Sequence, residues 1–362
     1  VIVVAKIGTS SITDDDGVID EEAIGAFCGG VARLRDEGHR VVMVTSGAIA
    51  AGLPALEFAL RPRDAVTLQA VSAVGQSRLM AVYDRALAGH GLIAGQVLLA
   101  PLDFMIREQY LHARGTLTRL LDLGVVPVVN ENDAIADDEI RFGDNDRLAA
   151  LVAHLIRADL LVLLTDMPGL LTADPRFDAS ASLIEEIVEV DQSIEQLAGG
   201  AGTVRGSGGM ASKLAAAKIS AWSGVRAVIG AAHRTDVLID AVNGVPGVGT
   251  VIHPRQHRLP ARKLWIAFAV GASGTVVVDE GAKRALVERG VSLLPAGVIE
   301  VTGGFDAEKA VEVVGPDGVV FAKGLVRIDA AGLRVIAGQR TGQLPEGTPH
   351  EVIHRDDLVV LP

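Results

Sequence analysis

The chain has 362 residues, too many for one ordinary domain, and 49 % of them are hydrophobic, enough for substantial cores. Aromatics are only 3 %, so those cores must be built from Ala, Val, Leu and Ile. A net charge of −12 argues against indiscriminate binding to nucleic acid or anionic lipid, both of which need a basic surface, but leaves room for a local basic patch.

The run VIVVAKIG opens the chain as an apolar strand ending in Lys6 and Gly8; it begins at Val1 already in a strand pattern, so a few preceding residues are expected. DEEAIGAFCGGVARLRDEG then predicts a helix capped by Asp20 and stopped by Gly38, with Ile24, Phe27, Cys28, Val31 and Leu34 on its apolar face. Cys28 lies in step with that face and reads as a small core residue. A single cysteine cannot form an internal disulfide, which points to a reducing compartment, the cytoplasm. No secretory pattern opens the chain, and no apolar run approaches the ~18 residues of a membrane span, so neither export nor a membrane partner is expected.

The same rhythm continues through RVVMVT, the helix VTLQAVSAVGQSRLMAVYDRAL, GLIAGQVLL, the helix IREQYLHARGTLTRLLDLG and VVPVVN. NDRLAALVAHLIRA, DLLVLLTD, MASKLAAAKISAWSG and VRAVIG follow. Strands without polar alternation, separated by helices, predict an α/β fold, a mainly parallel sheet sandwiched by helices. Ligands of such sheets bind beyond the carboxyl ends of the strands, where Lys6, Thr45-Ser46-Gly47, Asn130 and Thr165-Asp166 fall. Near residue 253 the character changes. HPRQHRLPARK (253–263) reads as a linker between a domain over 1–252 and a small β-rich domain over 264–362. In that tail the β-like pieces are TVVVDEG, VIEVTGGF, AVEVVGPDGVVFAKGLV and DLVVL, with AKRALVERG as one helix and GPDG as a hairpin turn.

Four stretches carry candidate chemistry. The glycine-rich GGAGTVRGSGGMASKLAAAK leads from Gly199 into a helix whose N-terminus could receive an anion, with Lys213 on its first turn. A cation there is disfavoured by the helix dipole, which favours a functional role over a plain flexible loop; the pattern is not a Walker motif. Lys6 precedes the turn IGTSS, and two lysines at one sheet edge suit phosphoryl transfer, which needs charge stabilisation and positioning. Asp166 could hold the lysines apart, or it could be a turn former in TDMPGL. The turn in VTSGAIAAG could present N–H groups to a carboxylate, or its small residues could serve close packing of helix on strand.

The fourth stretch, NENDAIADDEIRFGDND (130–146), gathers seven carboxylates and three asparagines around Arg141. It lacks calcium-loop spacing, and no Cys or His accompanies the acids at transition-metal spacing, so no protein-held metal is expected. Its acceptors Asn130, Asp133, Asp144, Asn145 and Asp146 would suit the ammonium of a zwitterion, and the acids at 137–139 are assigned to solvent.

In order and spacing, KIGTS, VTSGAIAAG, AVGQSRLM, GQVLL, VVPVVNENDA, FGDND, LLTDMPGL, TADPR and GSGGMASKL resemble the amino acid kinase family, and within it the bacterial branch acting on L-glutamate. The tail from KLWIAF to HRDDLVVL resembles a PUA domain. The resemblance implies ATP-dependent phosphorylation of the glutamate γ-carboxylate to glutamyl 5-phosphate, the first step toward proline. It also implies Lys6 and Lys213 as catalytic, oriented by Asp166. Ser46, Gly47, Ala48, Asn130, Asp133, Asp144, Asn145 and Asp146 would then form the glutamate site. ATP, with Mg²⁺ bridging its phosphates, would contact Lys6, Gly8, Thr165, Asp166 and the run Ser207, Gly208, Gly209, Met210, Ala211, Ser212, Lys213. Further implications are proline as inhibitor, a homo-oligomer (dimer or tetramer) and hand-over of the product to a glutamyl phosphate reductase. Ala100, where the pattern GQxLLT has threonine, is a departure of little expected consequence. RNA, the usual partner of PUA domains, is not expected, because residues 264–362 carry nine Lys/Arg against thirteen Asp/Glu.

Overall fold

The computed structural model describes all residues except 15, 59, 105, 136–144, 199–208, 269 and 362. The chain divides into two compact units, Val1–Arg258 and Leu259–Pro362, so the break falls within 253–263.

In chain order the first unit comprises β1 (Ile2–Ile7), α1 (Glu21–Asp36), β2 (Arg40–Val44), α2 (Ala48–Gly52), α3 (Ala65–Ala88), β3 (Ala94–Leu99), α4 (Arg107–Asp122) and β4 (Val126–Glu131). It continues with α5 (Asn145–Leu155), β5 (Leu160–Thr165), β6 (Glu186–Ile187), α6 (Gln192–Ala198), α7 (Met210–Trp222), β7 (Arg226–Ala231), α8 (Val237–Asn243) and β8 (Thr250–Ile252). The strands form one sheet in the order β3-β4-β2-β1-β5-β7-β8-β6. Its ladders are parallel except between β7 and β8, so the mainly parallel expectation holds with one reversal near an edge.

Strand alternation decides which side chains reach the site. Val3, Ala5 and Ile7 of β1 point into a core shared with Ile24, Phe27 and Val31 of α1, Leu79 and Tyr83 of α3 and Leu238 of α8. Because side chains alternate across a strand, Val4 and Lys6 face the opposite side, the face covered by α5 and α7. Asp20 caps α1 as expected, accepting from the backbone N–H groups of Glu22 and Ala23 at 2.9 and 3.0 Å. Cys28 is fully buried, and burial pushes its thiol up to about 12.

The second unit holds α9 (Ala261–Phe268), β9 (Gly274–Val278), α10 (Glu280–Arg289), β10 (Val298–Gly303), β11 (Ala310–Val314), β12 (Val320–Val326), α11 (Ala330–Ile336) and β13 (Ile353–Val360). They build a five-stranded sheet, β10-β9-β11-β12-β13, over a core of Val276, Leu286, Val313, Phe321, Leu333 and Ile353. The GPDG turn joins β11 to β12 as predicted, with the Gly315 N–H on the Val319 carbonyl at 3.0 Å and Gly318 at φ 75°. The sequence reading gave this unit one helix. The structure adds α9 and α11, each only seven or eight residues long, too short for periodicity to separate from strand. Among the described residues no helix is long and apolar enough to cross a membrane.

Candidate active site

Three segments meet beyond the carboxyl end of β1. Lys6 is the penultimate residue of β1, Asp146 lies on the first turn of α5, and Lys213 on the first turn of α7; their exposures are 3 %, 1 % and 4 %. The Lys6 Nζ is 2.5 Å from Asp146 Oδ1, and the Lys213 Nζ is 3.2 Å from Oδ2. The Ser212 hydroxyl donates to the same Oδ2 at 2.6 Å. Burial on its own would raise the Asp146 pKa, but the two lysines, followed by the Lys6 and Ser212 hydrogen bonds, hold the carboxyl below its usual range. The lysine that was out of place at a helix N-terminus is therefore neutralised by a carboxylate from the neighbouring helix.

This corrects the role expected of Asp166. Its carboxylate is exposed and accepts the Thr165 hydroxyl at 2.9 Å, so Asp146, and not Asp166, joins the lysines. Asp166 follows the last residue of β5 and faces a cavity of about 800 Å³ that Ser10, Ser11, Ala232 and His233 also line. Asp146, expected among the glutamate-site residues, lies between the two lysines. Gly8 comes so near Lys6 that a Cβ there would stand 3.3 Å from Nζ, which fits close backbone approach at this ammonium.

A second group lies along α3. Its inner face repeats at helical spacing through Ser72, Gly75, Gln76, Leu79 and Tyr83. Ser72 donates to Asp133 Oδ2 at 2.7 Å, and Asp133 is 9 % exposed on the single turn after β4. Burial raises the Asp133 pKa, offset only in part by Ser72 and by the field of Arg61; among the described residues no cation pairs with it. Asn130, at the end of β4, donates from Nδ2 to Gln76 Oε1 at 2.8 Å. The Glu131 N–H is shared by the Asn130 and Asn145 side-chain oxygens at 2.9 and 3.2 Å, which ties the end of β4 to the start of α5. The tyrosine continues the row, with its hydroxyl 2.7 Å from that of Thr45.

Gly47 has φ 100°, a left-handed value that frees the turn after β2 to enter α2. The packing is helix on helix, however, and not helix on strand. A Cβ on Gly75 would stand 1.7 Å from the Ala48 carbonyl, and one on Gly52 would stand 2.1 Å from the Val71 carbonyl. These two glycines let α3 lie directly on α2, which brings Gln76 beside the Ser46–Ala48 turn. Asp144, Ser207, Gly208 and the acids at 137–139 lie outside the described residues. Of the glycine-rich run, Gly209 caps α7, Met210 and Ala211 begin it, and Ser212 and Lys213 face Asp146.

Sequence reasoning missed Ser72, Gln76 and Tyr83. The available signal was their polarity at i, i+4 and i+11 spacing on a face otherwise made of Val71, Gly75, Leu79 and Leu87.

Residues 1–231 match the model of the amino acid kinase family, and residues 274–346 match the PUA domain. The chain belongs to the amino acid kinase family. It is 44 % identical over 362 residues to a protein named glutamate 5-kinase from Burkholderia cenocepacia, with 99 % of this chain and 97 % of the relative covered. It is 43 % identical, with the same coverage, to the glutamate 5-kinase of Pelobacter propionicus. Among solved structures, the carbamate kinase of Giardia lamblia bound to AMP-PNP matches with a TM-score of 0.51 at 18 % identity, covering 70 % of this chain and 98 % of the other. That likeness places this chain's first unit in the family fold. The second unit carries the PUA domain.

Proposed function

We propose that the protein is a glutamate 5-kinase, transferring the γ-phosphoryl group of ATP to the γ-carboxylate of L-glutamate. The observation that carries this reading is the convergence of Lys6 and Lys213 on one buried carboxylate, Asp146, at the sheet edge where family members do their chemistry. The near full-length similarity to glutamate 5-kinases gives the acceptor its identity.

In the reaction a γ-carboxylate oxygen bonds to the γ-phosphorus as its bond to the β-phosphate oxygen breaks, giving glutamyl 5-phosphate and ADP. The acceptor needs no general base, because a glutamate side chain with pKa about 4.3 is already ionised at neutral pH. The obstacle is bringing one anion onto another. Two ammonium groups next to the transferring phosphoryl group meet that need through charge alone. Asp146 and Ser212 hold the lysines in register and keep two like charges together. Asp133, buried without a cationic partner among the described residues, takes the substrate ammonium, with Asn130 and Asn145 bracing the strand end beside it.

ATP would lie along Gly8, Thr165 and Gly209–Lys213. Mg²⁺ typically keeps several waters and binds one or two carboxylates together with phosphates. Asp146 is already engaged by two lysines and a serine, so the donor set fits an ion carried on the nucleotide. Proline would compete at the ammonium and carboxylate contacts of glutamate. A cytoplasmic homo-oligomer, dimer or tetramer, would pass the labile acyl phosphate to a glutamyl phosphate reductase.

The test is ATP turnover with hydroxylamine trapping, run with L-glutamate, N-acetylglutamate, L-aspartate and no acceptor. Hydroxamate should form only with glutamate and should diminish with added proline. Turnover on another acceptor would keep the lysines and discard the glutamate site. No turnover on any of them, with salt-dependent retention of RNA, would move the function to the PUA domain.

A further inference from the structure

Gln76 is 9 % exposed, and its side-chain nitrogen is fully buried with no hydrogen-bond partner. Its orientation is fixed by a chain of donors. The Glu131 N–H donates to Asn130 Oδ1, which turns Asn130 Nδ2 toward Gln76. Only Gln76 Oε1 can accept from that nitrogen, so the Gln76 NH₂ must face away from Asn130. Turning either amide over would set donor against donor. A buried NH₂ without an acceptor is costly, and such groups in folded proteins call for an explanation.

The surroundings indicate what the acceptor is. One helical turn before Gln76, about 6 Å along α3, Ser72 holds the Asp133 carboxylate, so a cation receptor and an amide donor are both tied to the inner face of one helix. An α-amino acid carries an ammonium and a carboxylate on one carbon, and it needs a cation receptor and a neighbouring donor of this kind. The neighbouring residue, Gly75, packs on the Ala48 carbonyl, in the turn whose residues the family resemblance counts in the glutamate site.

We propose that Gln76 is a substrate-binding residue whose side-chain NH₂ donates to the α-carboxylate of glutamate, while Asp133 takes the α-ammonium. This inference rests on the glutamate reading above. It gives the site a means of rejecting acceptors that keep the ammonium and the reacting carboxylate but lack the α-carboxylate.

The experiment compares L-glutamate with 4-aminobutyrate, which lacks only that group, in the full-length wild-type protein, Gln76→Met and Gln76→Glu. 4-Aminobutyrate is scored by hydroxamate formation and, where turnover is slow, as a competitor of glutamate. A hydrogen bond to a charged group corresponds to about 10- to 100-fold in binding. Wild type should therefore prefer glutamate by at least that factor. In Gln76→Met the glutamate KM should rise about 10- to 100-fold, with 4-aminobutyrate affected less than about three-fold. Gln76→Glu keeps the oxygen that receives Asn130, so it should reproduce the selectivity change even if Gln76→Met unfolds. Equal losses on both acceptors would show that Gln76 only braces Asn130 and would overturn the proposal. So would unchanged kinetics, or a wild type indifferent to the α-carboxylate. A wild type that never phosphorylates glutamate would instead defeat the reading on which the proposal rests.

Discussion

At one end of the site Asp146 lies between two ammonium groups, and at the other Asp133 accepts from the Ser72 hydroxyl and, among the described residues, pairs with no cation. The two carboxyls are similarly buried, yet one is held below its usual pKa range and the other is pushed above it. The first carboxylate is paired with two cations of the protein, the arrangement expected of a spacer. The second, among the described residues, is desolvated without a paired cation, the arrangement expected of a receptor for a ligand's cation. The comparison teaches that burial alone does not set the role of an acid; the charges that accompany it do.

The largest effect should come from the lysines. Lys6→Met and Lys213→Met should each lower kcat by about 100-fold or more with little change in the glutamate KM, read by steady-state kinetics. A selective rise in the glutamate KM would place that lysine at the substrate end and break the comparison.

Asp146→Asn should come next, on stability. Removing the carboxylate takes away the negative charge that both buried ammonium groups share, and breaking such a buried set costs about 3–5 kcal/mol, measurable by denaturant unfolding. The pH dependence follows from the lowered pKa. The stabilisation by Asp146 is present above the unfolded carboxyl value of about 3.9 and is lost as pH falls through the lower folded value. Wild type should therefore lose stability faster than Asp146→Asn over that acid range. Parallel acid profiles would contradict the spacer role.

Gly75→Ala should act on the substrate end through packing. Its Cβ would overlap the Ala48 carbonyl, so α3 must retreat from α2, at a cost of about 1–3 kcal/mol or more. The glutamate KM should rise with the ATP KM unchanged, because the turn after β2 moves and the lysines do not. The smallest effect belongs to Cys28. With its thiol pushed up to about 12, it should resist alkylation in the native protein at pH 8 and react only on unfolding.

Much of the fold was legible because β1, β4, β5 and β7 each hold a continuous apolar run and the helices between them are amphipathic. β6 has two residues and β8 three, too short to leave a pattern, and the one antiparallel ladder escaped with them. In the site, Lys6 and Lys213 could be read from strand-end and helix-start positions. Assigning the bridging acid to Asp166 failed for a physical reason: both aspartates lie at the carboxyl edge, and only the three-dimensional course of α5 decides which one reaches the lysines. Ser72 and Gln76 lie inside a long helix, where their polarity on an otherwise apolar face marks them as unusual but does not say what they bind until the partner is known.

The division of the site between a phosphoryl end and a glutamate end is tested most directly by the two KM values of Asp133→Ala. The glutamate KM should rise by about 10-fold or more while the ATP KM stays within about two-fold. In wild type the glutamate KM should also climb as pH falls through the raised Asp133 pKa, because the protonated acid no longer attracts an ammonium. Equal changes in both KM values would contradict the division and return Asp133 to a structural role.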